Sequence, residues 1–197
     1  KVQNNVTPSS IFKRNRVLKG VFEHILGKPE QLGEVKTATG PTKERLLDPN
    51  PNAFLIMDAV RKEFGTDMAI INAGNIRGFF EQGPLDSHQV FEVVPLKNNM
   101  VKLKLTEKEI VDALKKGAKS FNDPGHKPGI IMPSGLKYTV SRSGELKAAS
   151  FIDKEGKENA IDVNNPNPNK VYTVATDDFM ASGGDNLLEN KIEKGKI

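Results

Sequence analysis

Residues 50–72 constrain this chain more than any other stretch. Asn50-Pro51 offers a helix N-cap followed by proline at the first helical position, where its missing N–H costs nothing. Ala53, Met57, Val60 and Phe64 then recur at helical spacing until Gly65 stops the run. Almost at once Met68-Ala-Ile-Ile71 follows, a short apolar run that reads as a buried strand, closed by Asn72 and a glycine-containing turn. A helix that hands over directly to a buried strand requires a sheet for that strand to enter. Arg77 stands just past the turn, on a loop held by a strand end, where binding groups tend to sit. Its guanidinium fork suits phosphate or carboxylate.

The remaining elements are interspersed in the same way. Ser10–Leu26 has a helical stripe of Ile11, Leu18, Val21, Phe22 and Ile25, stopped by Gly27 and Pro29. Leu32–Thr39 alternates like a strand, Gly40-Pro41 and Gly83-Pro84 read as turns, and Ser87–Val94 as a short helix ending at Pro95. Met100–Leu105 alternates like a half-buried strand. Thr106 and Glu109 then form a capping box for a helix bearing Ile110, Ala113 and Leu114, with Gly117 as its expected stop. Residues 121–134 are rich in glycine and proline and read as loop. Leu136–Val140 and Leu146–Ile152 read as strands joined by Ser-Arg-Ser-Gly. Asn164–Asn169 is turn-rich, and Val171–Thr176 is a further strand. The pattern predicts an α+β or mixed α/β fold, with an N-terminal segment over 1–30 whose helix is either a packing helix or a connector, then a single compact mixed domain over 31–197.

With 197 residues the chain is long enough for a real core. No apolar run approaches the roughly 18–20 residues of a membrane span, and the N-terminus has no apolar signal core. The absence of cysteine excludes disulfides and thiol chemistry. His24, His88 and His126 match no metal-ligand spacing, so an independent metal centre is not expected. The net charge of +4 is mild and its lysines are scattered. With 6% aromatics and no tryptophan there is no basic-aromatic platform for single-stranded nucleic acid.

A second candidate loop is Phe179-Met-Ala-Ser-Gly-Gly-Asp185, where adjacent glycines let backbone approach a ligand. Taken alone, such a turn is structural more often than functional. Four stretches in order are more specific: Asn50-Pro-Asn-Ala-Phe-Leu-Ile-Met-Asp-Ala-Val-Arg61, Ile71-Asn-Ala-Gly-Asn-Ile-Arg77, Val90-Phe-Glu-Val-Val-Pro-Leu96 and Asp177-Asp-Phe-Met-Ala-Ser-Gly-Gly-Asp185. Together, over roughly residues 33 to 190, they resemble the C-terminal, substrate-binding domain of the 5′-nucleotidase family, which includes UDP-sugar hydrolases and 2′,3′-cyclic-nucleotide phosphodiesterases.

The resemblance implies an α+β domain that follows a metallophosphoesterase domain through a linking helix, here Ser10–Leu26. A divalent metal pair such as Zn or Mn would belong to that upstream domain, whose Gly-Asn-His and Gly-His-x-His motifs are not found in this sequence, where Asp-x-His occurs once, alone, at Asp86-Ser87-His88. It also implies an exported protein with a nucleotide or nucleoside substrate. By the same resemblance, Arg45 and Arg77 grip phosphate, and Asn72 contacts the ribose side. Phe179 stacks on the base, Asp185 binds ribose hydroxyls and Asn98 reaches the base edge. No residue of this chain is expected to be a nucleophile or general base. Two departures stand out. Pro95-Leu96-Lys97 replaces the family's Pro-Phe-Gly, so Leu96 takes the place of a second stacking ring. Ala73 and Asn75 replace turn glycines, and Asn75 is expected to tolerate a left-handed backbone. The alternatives are a degenerate, non-catalytic nucleotide- or anion-binding module and a phosphoesterase relative acting on a different anion.

Overall fold

Helix α1, Pro51–Phe64, begins as its sequence dictates: the Asn50 side chain accepts from the Asn52 amide. It ends at Gly65, whose left-handed backbone donates to the last carbonyls of the helix. The computed structural model describes residues 27–95, 98–123 and 128–192. The expected helix Ser10–Leu26 and the departures at Leu96 and Lys97 lie outside the described residues.

The chain forms two compact units. In the first, residues 27–41 and 76–95, β1 (Gln31–Val35) pairs antiparallel with β3 (Gly83–Asp86), and α2 (Ser87–Val93) follows. Gly83-Pro84 is therefore strand rather than turn. A two-stranded ribbon leaves each strand one open edge, where a proline lacking its N–H is tolerated. Asp86 caps α2 in a reciprocal box with Gln89.

The second unit, residues 42–75 and 98–192, holds the main sheet. β2 (Met68–Asn72) lies parallel to β9 (Val171–Asp177) and antiparallel to β5 (Ile131–Ser134). β4 (Met100–Thr106) covers the other side of β9, giving the order β4-β9-β2-β5. Every residue of β2 is buried, as its unbroken apolar run requires. At the far end of the parallel pair Asp67 carries on the ladder, its side chain accepting from the Thr173 amide at 2.8 Å and hydroxyl at 2.7 Å. Helix α1 packs on β2 and β5, while α3 (Glu107–Ala118) packs on β4, β5 and β7 (Leu146–Ile152). β7 sits between β6 (Leu136–Val140) and β8 (Glu158–Ile161) in an antiparallel sheet. Met68, Ile70, Leu103, Leu114 and Val174 are among the side chains of the shared core.

Besides Gly83-Pro84, two further expectations differ from this structure, and one strand is not expected from the sequence. Residues 121–134 are not all loop, because Ile131–Ser134 is β5, and Pro133 fits as an edge-strand residue. Helix α3 does not stop at Gly117. There a Cβ would come within 3.2 Å of the Gly129 carbonyl, so this glycine serves close approach rather than termination. Strand β8 has no counterpart in the sequence reading, since Glu158-Asn-Ala-Ile161 is too short and polar to announce itself. The capping box at Thr106 and Glu109 forms as expected, with both reciprocal hydrogen bonds present.

Candidate functional site

The parallel pairing of β2 with β9 sends both strands out at the same edge of the sheet. Each then runs into one of the two loops singled out in the sequence. β4 and β5 run antiparallel to their neighbours, with Met100 opposite Asp177 and Ile131 opposite Asn72. The residues that precede them, Asn98 and Pro128, therefore reach that same edge. Four loops converge there, in the arrangement by which mixed and parallel sheets commonly present binding groups.

From β2, Asn72 is 1% exposed and its Nδ2 donates to Asp185 Oδ2 at 2.9 Å, a bond spanning 113 residues of sequence. Asn72 Oδ1 is buried and has no hydrogen-bond partner among the described residues. An acceptor left without a partner in the interior costs stability. The chain next turns through a short 3-10 segment, Ala73–Asn75. Neither Ala73 nor Asn75 takes a positive φ, so alanine fits at 73 and the tolerance of Asn75 for a left-handed backbone is not called on. Arg45 reaches this turn and donates to the Gly74 carbonyl at 3.2 Å and, more weakly, to that of Ala73 at 3.5 Å.

From β9, Asp177 is the N-cap of α4 (Asp178–Ala181), its Oδ1 accepting from the Met180 amide at 2.9 Å. Phe179, on that short helix, keeps 40% of its surface exposed. Its ring and carbonyl lie so close to Gly184 that a Cβ there would stand 2.6 Å from both. Glycine at 184 is thus the surface on which the ring rests. The segment closes with Asp185 and Asn186, both at φ 56. Non-glycine residues rarely adopt that conformation, and it clusters at functional sites. Its consequence is that the Asp185 carboxylate meets Asn72.

Two residues with no role assigned from sequence, Asp177 and Asn99, hold the loops together. Asp177 Oδ2 accepts from Asn98 Nδ2 at 2.7 Å and from Asn75 Nδ2 in a very short contact. Alongside, the Asp178 amide donates to the Asn99 carbonyl at 2.8 Å. Asp177 is 2% exposed, and burial pushes its carboxyl above the ordinary 3.8 despite these donors. The only sequence sign of this role is the Asp177-Asp178 doublet opening the Phe179 motif.

Of the predicted residues, the second unit brings Arg45, Asn72, Asn98, Phe179 and Asp185 to its sheet edge. Arg77 belongs to the first unit, where its side chain is exposed and its amide donates to the Val93 carbonyl at 2.7 Å. None of the predicted residues among those described lines a separate cavity of about 560 Å³ bounded by Phe54, Asp58, Met132, Leu136, Tyr138 and Arg142. That cavity is mainly apolar, whereas the hydrogen-bonding groups gather at the sheet edge. Among the described residues no group of three or more His, Cys, Asp or Glu side chains is placed to hold a metal ion. A metal pair does not fit these residues, whose nearby acids are committed as helix cap and amide acceptors. No described helix is long and apolar enough to cross a membrane.

Comparison with known proteins points the same way as the geometry. Residues 32–190 match the model of the 5′-nucleotidase C-terminal domain. Protein UshA of Escherichia coli (strain K12) is 31% identical over 141 residues, covering 70% of this chain but 23% of that protein. The trifunctional nucleotide phosphoesterase protein YfkN of Bacillus subtilis (strain 168) is 27% identical over 167 residues, 80% of this chain and 11% of its own length. The chain thus spans about a quarter or less of these relatives. A 5′-nucleotidase precursor from Thermus thermophilus superposes with a TM-score of 0.69 at 22% identity, over 90% of this chain and 35% of that one, which shows the shared fold.

Proposed function

This chain belongs to the 5′-nucleotidase C-terminal domain family, and we propose that it is the nucleotide-binding part of a metal-dependent phosphohydrolase. The observation that supports this reading most is the meeting of Asn72, Asp185, Asn98 and the Phe179 ring at one sheet edge. These are the groups a nucleoside needs: a carboxylate and amide for sugar hydroxyls, a ring face for the base, and an amide for its edge. Base-on-ring stacking is worth on the order of 1–3 kcal/mol.

Phosphate falls to the arginines. Arg77 is exposed and takes the role of main phosphate grip, with Arg45 at the Ala73–Gly74 turn as the second cation. Leu96, where the family carries an aromatic ring, gives an apolar but weaker second face for the base. Residues 1–30 form the linker to a metallophosphoesterase domain in an exported protein, and that domain carries a divalent pair such as Zn or Mn. A metal pair supplies activated water and charge neutralisation. The residues of this chain bind and orient the substrate, and positioning alone can account for much of a rate.

Titration with AMP, UDP-glucose and a 2′,3′-cyclic nucleotide tests the proposal. At least one nucleotide is expected to bind, with Arg77→Ala losing most of that affinity. Unchanged binding by Arg77→Ala would remove the phosphate assignment, and no binding by the unsubstituted chain would remove the reading as a whole.

A further inference from the structure

Asp177 is a carboxylate with no donor of its own when ionised, and it makes contacts on both oxygens. Oδ1 caps the helix that carries Phe179, while Oδ2 accepts from the side-chain amides of Asn75 and Asn98. Three elements are thereby joined at one buried group: the turn after β2, the segment before β4 and the helix after β9. An asparagine amide has one donating and one accepting end, and the surrounding hydrogen bonds decide which way round it sits. Here the choice is made by chemistry, since an acceptor-only carboxylate 2.7 Å away must face the NH₂ end of Asn98. The Asn98 carbonyl oxygen is turned away from Asp177 as a result.

We propose that Asp177 is the positioning residue that sets base preference, by locking Asn98 so that it presents an acceptor to the base edge and favours amino bases over keto bases. The inference rests on the nucleotide-binding reading and on Asn98 meeting the base. An acceptor aligned with the 6-amino group of adenine gains a hydrogen bond. Aligned with the 6-carbonyl of hypoxanthine, it sets two acceptors against each other, and such repulsion is how a site rejects a near-isostere. Asn75 strengthens the lock by occupying the same carboxylate oxygen, so neither amide can turn without stranding a buried acceptor. The same carboxylate fixes the ring that stacks and the amide that reads.

Binding of AMP and IMP to the full chain, measured by calorimetry, gives the test. AMP is expected to bind about tenfold more tightly than IMP, the worth of one hydrogen bond gained against one refused. In Asp177→Asn the helix cap survives, because asparagine caps as well as aspartate. Position 177 can then donate as well as accept, Asn98 is free to turn, and the AMP-to-IMP ratio is expected to fall toward unity, chiefly through a gain by IMP. Adding Asn98→Asp to Asp177→Asn exchanges donor and acceptor across the pair, presents an acceptor outward again, and is expected to restore the preference for AMP. A purely structural role for Asp177 would weaken both ligands alike and leave the ratio unmoved. An unchanged ratio in a folded Asp177→Asn chain, or no preference in the unsubstituted chain, would overturn the proposal while leaving nucleotide binding intact. Absence of binding by every nucleotide would overturn the nucleotide reading and this inference together.

Discussion

After β2 the chain turns through Ala73–Asn75 without a positive φ, and its carbonyls are tied down by Arg45. After β9 it runs through a helix of four residues and then holds Asp185 and Asn186 at φ 56. The first loop is relaxed and buried, and it presents an amide. The second is strained and partly exposed, and it presents a ring and a carboxylate. The contrast shows where conformational cost is concentrated. A buried strand end can supply a fixed amide at no backbone penalty. A loop that must swing a carboxylate back onto that amide has to leave the favoured regions of φ and ψ.

The contrast is broken most severely at the exit of the second loop. Lys191 is fully buried, its amide donates to the Ala181 carbonyl at 2.8 Å, and its ammonium makes a close ion pair with Glu109. Lys191→Met is expected to cost about 3 kcal/mol in a denaturant melt, because it strands a partly buried carboxylate. The pair also predicts a pH dependence. Burial pushes the Glu109 carboxyl up, but Lys191 and Thr106 outweigh it and hold the group below its ordinary 4.5. Its stabilising contribution is therefore complete above that value and lost as pH falls through the folded value. The acid side of the stability profile should flatten in Lys191→Met.

Gly184→Ala comes next. Its new methyl would displace the Phe179 ring, and nucleotide affinity should fall by about 1–3 kcal/mol, the amount that stacking supplies. The matching change in the first loop, Gly74→Ala, brings a methyl only to 3.0 Å from Asn72 Nδ2 and 3.3 Å from the Pro128 carbonyl, and should cost less. If the two alanines weaken binding equally, the loops do not differ as described. The smallest stability effect belongs to Asp185→Gly, which relieves the left-handed backbone but takes away the acceptor of the buried Asn72 amide, so that stability should change by less than about 1 kcal/mol while nucleotide binding weakens. A large loss of stability in that variant would show that the bond to Asn72 outweighs the relief of φ 56 at Asp185.

The two loops are legible in sequence to different depths. Helix α1 and strand β2 can be read outright, because Asn50-Pro51, the apolar stripe, Gly65 and the Met68–Ile71 run are local signals that agree. Phe179 and Asp185 emerge by resemblance, yet the strain at Asp185 does not, since nothing in Gly-Gly-Asp-Asn says which residues turn left-handed. Strands β3 and β5 are hidden by Gly83-Pro84 and Pro133, residues that read as breakers until an edge position tolerates them. The role of Asp177 is marked in sequence only by the Asp177-Asp178 doublet, which does not say what it binds. Its bonds to Asn75 and Asn98 span 102 and 79 residues and exist only because β9 inserts between β4 and β2.

Two places on the second unit compete for a nucleotide: the polar sheet edge and the apolar cavity beside Phe54 and Tyr138. The nucleotide-binding reading assigns it to the edge. Titrating ¹⁵N-labelled chain with AMP, and following backbone and side-chain amides, decides between them. Shifts are expected to concentrate at residues 72–75, 98–99 and 177–186, with the Asn72 and Asn98 side-chain amides among the largest. Shifts confined to Phe54, Met132, Tyr138 and their neighbours, or none at saturating AMP, would refute the assignment to the edge.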